Sequence, residues 1–290
     1  MSREAAFIDS LRALATHPAA RNLTDDCAVL ELGRETLVLT HDMLVEGTHY
    51  LSGADMADVA WRLVATNLSD LAAKGAEPLG VLLGHMLGDG DDRFVAGLAE
   101  VLAHYQVPLL GGDTTAGQGT RSHGLTAVGR ATHTPVPSRS GAQPGDGLWL
   151  TGQVGAAMLG FEALRVGTGA DHAAYTRPHA RLAEGRILAP LVTAMMDVSD
   201  GLLLDAFRMA QASGVSIAID SPCVPVADVQ RRLDCMTWGD DYELLFTLPP
   251  GHKIAIDATR IGMVETRGFA PLFLDGEPLL NPDGLGYQHK

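Results

Sequence analysis

Between residues 28 and 131, apolar runs of strand length alternate with stretches of helical periodicity, and this alternation limits the first half of the chain to an α/β arrangement. "DDCAVLELGRETLVLTHDML" holds two strand-like runs that meet at a turn around Gly33, and an amphipathic helix with Phe7, Ile8, Leu11 and Leu14 on one face precedes it. "ADMADVAWRLVATNLSDLAAKGAEPLG" reads as a long helix stopped near Gly75 and Pro78. "LGVLLGHML" is a strand of the buried type, "DDRFVAGLAEVLAHYQ" a helix, and "VPLLGGD" and "GLTAVGRA" two further strands. Pro, Gly and Ser concentrate in "THTPVPSRSGAQPGDG", residues 132–147, which predicts two domains, 1–137 and 138–290. Beyond it come a strand turning through glycines into a helix ("LWLTGQVGAAMLGFEAL"), a helical stretch over 179–194, the acidic motif "MMDVSDG", the helix "GLLLDAFRMAQASG" and the strand "VSIAID". The end is strand-rich and includes an "LFLDGEPL" hairpin with Asp-Gly at its turn.

The chain of 290 residues is 46% hydrophobic, enough for a sizeable core, and no apolar stretch approaches the roughly 20 residues that span a bilayer. Three cysteines, Cys27, Cys223 and Cys235, lack metal-site or disulfide-framework spacing, so a reducing, cytoplasmic setting is expected. With 35 acidic residues against 21 basic ones the net charge is −14, which repels a nucleic-acid backbone and argues against a membrane partner. Only Lys74, Lys253 and Lys290 are lysines. A phosphate bound here therefore calls on arginine, backbone N–H groups or a metal ion.

Acidic residues recur at the ends of these elements: Asp25 and Asp26, Asp42, Asp70, Asp113, Asp197 and Asp200, then Asp240, Asp241 and Glu243. Taken singly an aspartate is a favoured cap or turn residue, and Asp200 ahead of "GLLLDAF" suits that role. Asp70 does not, because it stands late in an apolar helix with Asn67 one turn earlier. Together the carboxylates repel one another unless a cation neutralises them, and Mg²⁺, which takes carboxylate oxygens and shares phosphate oxygens with its substrate, is the economical choice. The eleven histidines form no zinc-type motif. Phosphate-loop and protein-kinase signatures are absent from the sequence. "LLGGDTT" offers an alternative: Gly111 and Gly112 let backbone approach a phosphate while Asp113 holds a metal, and Arg139 is either the phosphate arginine or a solvated loop residue.

In order, "DDCAVL", "THDMLVEGTHY", "NLSDLAAKGAEP", "LLGGDTT", "GRA", "SRSGAQPGDGLWLTGQVG", "DVSDGLLLD" and "GDDYELLF" resemble the thiamine-monophosphate kinases, relatives of aminoimidazole ribonucleotide synthetase and selenophosphate synthetase. The resemblance covers the chain from about residue 20 to its end. It implies a two-domain α/β (α+β) fold like that of aminoimidazole ribonucleotide synthetase, whose N-terminal sheet pairs across a homodimer. It also implies ATP-dependent conversion of thiamine monophosphate to thiamine diphosphate, the last step of that cofactor's synthesis, by direct in-line transfer with several Mg²⁺ ions. Carried over by motif, metal falls to Asp26, Thr40, His41, Asp42, Asp70, Asp113, Asp197 and Asp200; of these, Asp42, Asp113 and Asp200 would be central to catalysis. Nucleotide falls to Gly112, Asp113, Arg139 and Ser199, and thiamine phosphate to His49, Asp240 and Tyr287.

This chain departs from the usual family pattern at three places. Thr24-Asp25-Asp26 stands for Gly-Asp-Asp, Thr40-His41-Asp42 for Ser-Thr-Asp, and Trp238-Gly239-Asp240-Asp241 for Gly-Gly-Glu-Asp. The last shortens a substrate-facing carboxylate by one methylene. Two other readings remain: a sister ATP-dependent synthetase, which would need a reactive N-terminal or C-terminal cysteine, and an inactive nucleotide-binding regulator that kept the fold.

Overall fold

The computed structural model describes residues 3–289 and contains two sheets. The first is built from β1 (Ala28–Leu32), β2 (Glu35–Val45), β3 (Ala76–Met86), β4 (Leu109–Thr115) and β5 (Ser122–Ala131), in the order β1-β2-β5-β3-β4. Its pairs are antiparallel except β3 with β4, which is parallel. The second takes β6 (Gly147–Thr151), β7 (Ala194–Asp197), β8 (Ser216–Ile219), β9 (Leu244–Leu248), β10 (Ala258–Glu265), β11 (Leu272–Leu274) and β12 (Glu277–Leu279). Their order is β12-β11-β8-β10-β6-β9-β7. The expected hairpin at Asp275-Gly276 is β11–β12.

The helix Met56–Ala73 lies between the two sheets. It packs on β2 and β5 and also meets β7 of the second sheet. Protein covers most of it, and 15 of its 18 residues are buried; a polar row of Asp58, Arg62, Thr66 and Asp70 interrupts its largely apolar surface. Leu63, Leu68 and Leu71 are fully buried, each contributing about 1.5–3 kcal/mol. The apolar cluster around this helix includes Met195, Leu244 and Phe246, so the two halves share one core.

One sequence expectation needs correction. The stretch 179–194 is not one helix: only Leu182–Leu188 is helical, and β7 begins at Ala194. Pro190, which has no N–H to donate, follows its C-cap Ala189 and closes it.

Helix Asp91–Tyr105 packs on the long helix where Gly97 faces Ala57, so close that a β-carbon at Gly97 would lie 2.7 Å from the Ala57 carbonyl carbon. Replacing Gly97 with Ala gains up to about 1 kcal/mol of helix propensity but forces the helices apart at about 1–3 kcal/mol. A lower melting temperature is expected; an unchanged one would show that the helices separate without strain.

Candidate active site

A helix buried over most of its surface must also bury the polar residues of its last turns, and each of these has a partner. Asn67 accepts from the Asp42 N–H at 3.0 Å and donates to the Leu63 carbonyl at 2.9 Å. Ser69 donates to Asp197 Oδ2 at 2.7 Å, tying the helix to the end of β7. The Thr40 hydroxyl on β2 donates to Asp70. Lys74 Nζ, at the helix C-terminus, reaches Asp25 Oδ1 at 2.6 Å and Asp26 Oδ2 at 2.9 Å.

Oxygens of Asp26, Asp70 and Asp197 all lie within 4.8 Å of one another. Asp42 joins them in lining a cleft of about 1480 Å³. Burial, together with the charges of Asp26 and Asp200, pushes the Asp42 carboxyl up to about 6. Burial and then Asp26 push Asp197 up to about 8, against the lowering effect of the Ser69 hydrogen bond. Asp70 is driven well above the usual range by burial and then by Asp42 and Asp197. Among the described residues none of these three carboxylates forms an ion pair.

Of the neighbouring carboxylates, Asp25, Asp26, Asp200 and Glu243 are compensated by Lys or Arg, whereas burial drives Asp241 well above the usual range. Burial opposes the charge of Asp26, but Arg139 and Lys74 outweigh it and hold the carboxyl below the ordinary range. Asp25 is likewise held low against burial by Lys74 and Arg21. Arg208 Nη1 reaches Asp200 Oδ2 at 2.5 Å and Asp205 Oδ1 at 3.0 Å. Asp200 is therefore not the helix cap: Gly201 precedes helix Leu202–Ser213 without a side-chain bond, and Asp205 instead accepts from the Ser199 and Asp200 N–H groups. Asp241 accepts from the Gly155 N–H at the start of helix Ala156–Val166, and Glu243 binds Arg181 at 2.6 and 2.8 Å.

Backbone bonds align three separate segments that line the same cleft. Asp240 and Tyr242 N–H groups donate to Ser199 and Val198 carbonyls, and the Tyr287 N–H donates to the Asp200 carbonyl. The Asp240 carboxylate is fixed by Arg62 Nη2 at 2.6 Å and by the Tyr242 hydroxyl at 3.1 Å. Arg62 lies over the Tyr175 ring, 4.3 Å from its centroid, and Phe161 stacks between Tyr175 and Trp238 at 5.3 and 5.2 Å. His49 accepts from the Val45 N–H through Nδ1 at 3.0 Å, which leaves Nε2 as the protonated nitrogen of the neutral ring. Burial and then His289 lower its basicity.

Of the residues expected from the sequence, Asp26, Asp42, His49, Asp70, Arg139, Asp197, Ser199, Asp200, Asp240 and Tyr287 line this one cleft. Thr40 stands behind Asp70, and the exposed His41 side chain instead meets Thr126 at 2.9 Å. Gly112 and Asp113 are not brought in. Register runs from Asp42 to Leu125 to Leu83 to Gly112, three strand spacings or about 14 Å away, on the exposed edge strand β4. Gly112 has φ +152°, and a β-carbon there would meet the Leu83 backbone nitrogen at 2.8 Å. The sequence reading assigned no place to Lys74, Ser69 or Arg62. The partners of all three are far away in sequence, and the i, i+4 spacing of Asp70 and Lys74 points to a pair that the structure does not form.

Family models for the AIR synthase related protein match residues 24–131 (N-terminal domain) and 143–267 (C-terminal domain). The chain is 35% identical to the thiamine-monophosphate kinase of Escherichia coli K12, over 91% of this chain and 90% of that one. It is 33% identical to the Caulobacter vibrioides enzyme of the same name, over 94% and 86%. The structure of AaThiL complexed with AMPPCP and TMP superposes with a TM-score of 0.85 at 28% identity, covering 95% of this chain and 94% of that one. E. coli HypE, a hydrogenase maturation protein, shares the fold at a TM-score of 0.70 and 21% identity, covering 96% and 98%.

Unfolded aspartates ionise near pH 4, whereas folded Asp42 and Asp197 keep their protons to about 6 and about 8. The folded state thus binds more protons between those limits, and these groups take away stability as pH rises through that window. Asp25 and Asp26, with lowered values, act in the opposite sense and only below about pH 4. Without divalent ions, the melting temperature should fall more steeply from about pH 5 to about pH 8 in the unaltered protein than in Asp197→Asn. Equal slopes would count against the charge imbalance.

Proposed function

We infer the reaction from membership: the chain belongs to the AIR synthase related proteins and, among them, to the thiamine-monophosphate kinases. It transfers the γ-phosphoryl group of ATP to the phosphate of thiamine monophosphate, giving thiamine diphosphate and ADP. The observation that carries this reading is one cleft lined both by Asp42, Asp70 and Asp197, which form no ion pair among the described residues, and by Asp240 with the Phe161 and Trp238 rings.

The donor set suits Mg²⁺, being all oxygen, buried and short of positive charge. Asp26, Asp42, Asp70 and Asp197 would hold the ions. When bound, the ions neutralise the negative charge of the transferring phosphates. Arg139 and Arg208 border the same cleft and supply further positive charge, and the Ser199 hydroxyl is positioned for the nucleotide. The acceptor phosphate is already ionised, so the chain needs no strong general base, and positioning and charge neutralisation supply the acceleration.

In the same cleft, Arg62 and Tyr242 hold the Asp240 carboxylate. Asp240, His49 and Tyr287 would meet the thiamine moiety, with Phe161 and Trp238 as an aromatic wall beside it. The three cysteines are free thiols, which suits a cytoplasmic enzyme.

The catalytic unit in this reading is a homodimer. Gly112 and Asp113 sit on an exposed edge strand beside Leu82, Leu109 and Leu110, which are 41%, 48% and 56% exposed. Pairing of a second copy along this edge covers the apolar side chains and brings Asp113 to the partner's cleft.

Purified protein given ATP, Mg²⁺ and thiamine monophosphate should form thiamine diphosphate; ADP formed only with another acceptor would overturn the assignment. Asp70→Asn should lower kcat by about 10²–10³-fold while the circular dichroism spectrum stays unchanged. Mixing the inactive variants Asp42→Asn and Asp113→Asn should restore roughly a quarter of the activity, because mixed dimers then hold one intact site. No recovery would place Asp113 in its own chain's site or outside catalysis.

A further inference from the structure

The Lys74 side chain is wholly buried, at 0% exposure, while its two carboxylate partners Asp25 and Asp26 are 1% and 10% exposed. Burying an ammonium is tolerated only when it is paired, and here both partners sit within hydrogen-bond distance. Arg139 and Arg21, which also reach Asp26 and Asp25, keep 19% and 21% of their side chains exposed. Arg139, although paired with Asp26, lines the cleft, whereas Lys74 is sealed from solvent.

The cluster is therefore divided. Its Asp25/Asp26 end carries the protein's own positive charge, and its Asp42/Asp70/Asp197 end carries none among the described residues. Asp26 belongs to both, since one of its oxygens lies within 4.8 Å of oxygens on Asp70 and Asp197. A compact ammonium with three donors can bridge two carboxylates as a small cation does, and with a single charge it leaves Asp26 able to share a divalent ion.

We propose that Lys74 is a resident cation of the acidic site: its ammonium occupies the Asp25/Asp26 end where a metal ion would otherwise bind, and confines divalent ions to Asp42, Asp70 and Asp197 with Asp26 shared. This rests on the metal reading above. Lys74 is a positioning residue in this role, acting on the ions through Asp26.

The test is a titration of the nucleotide-free protein with Mn²⁺, with free Mn²⁺ followed by electron paramagnetic resonance. Wild type and Lys74→Arg should bind the same number of ions. Lys74→Met should bind about one more per chain, a change that a merely structural lysine would not produce. If Lys74→Met is folded by circular dichroism and binds the same number as a wild type that does bind Mn²⁺, this inference fails and the metal reading stands. If wild type binds none, the metal reading fails and this inference with it. Should Lys74→Met not fold, anomalous diffraction from wild-type crystals soaked in Mn²⁺ decides: ions only at Asp42, Asp70 and Asp197 support the proposal, and an ion ligated by Asp25 overturns it.

Discussion

The burial of one helix governs the site. Met56–Ala73 is enclosed by the first sheet on one side and by elements of the second half on the other, so its polar residues are largely withdrawn from water. Asn67, Ser69, Asp70 and Lys74 consequently recruit Asp42, Asp197, Thr40 and the Asp25/Asp26 pair. These partners come from β2, from the end of β7 and from the loop before β1, and the helix end is where they meet. The site is the polar solution to a packing problem, and it joins the two halves through the Ser69–Asp197 bond.

Charge within the site is unevenly distributed. Asp25 and Asp26 face Lys74, Arg21 and Arg139, whereas Asp42, Asp70 and Asp197 face one another. Burial and mutual repulsion raise the proton affinity of the second group in consequence.

Much of this was legible in the sequence. The Gly33 turn, the long helix ending before Gly75, and the Asp275-Gly276 hairpin follow from local chemistry and formed as expected. Most of the acidic residues named from the motifs do share one cleft. The reading failed where an outcome depended on competition between neighbours. Asp200 had the right position for a cap, but Arg208 claimed its carboxylate and Asp205 took the backbone N–H groups. Strand order, which no local pattern encodes, sets Asp113 three strands from Asp42 of the same chain, so its place in a site depends on the homodimer proposed above.

The sequence by itself determined the family, the alternation of strands and helices, and which side chains carry charge to the ends of those elements. It did so because periodicity and capping are local and because motifs of this length in this order are specific. Which carboxylates are neutralised by the chain's own cations, and which are not, was settled by the tertiary structure alone. That outcome depends on distances between residues far apart in the chain: Lys74 to Asp25 and Asp26, Arg139 to Asp26, Ser69 to Asp197. Coulomb energy and desolvation are set by such distances and by burial, and neither exists until the helix is packed between its two sheets.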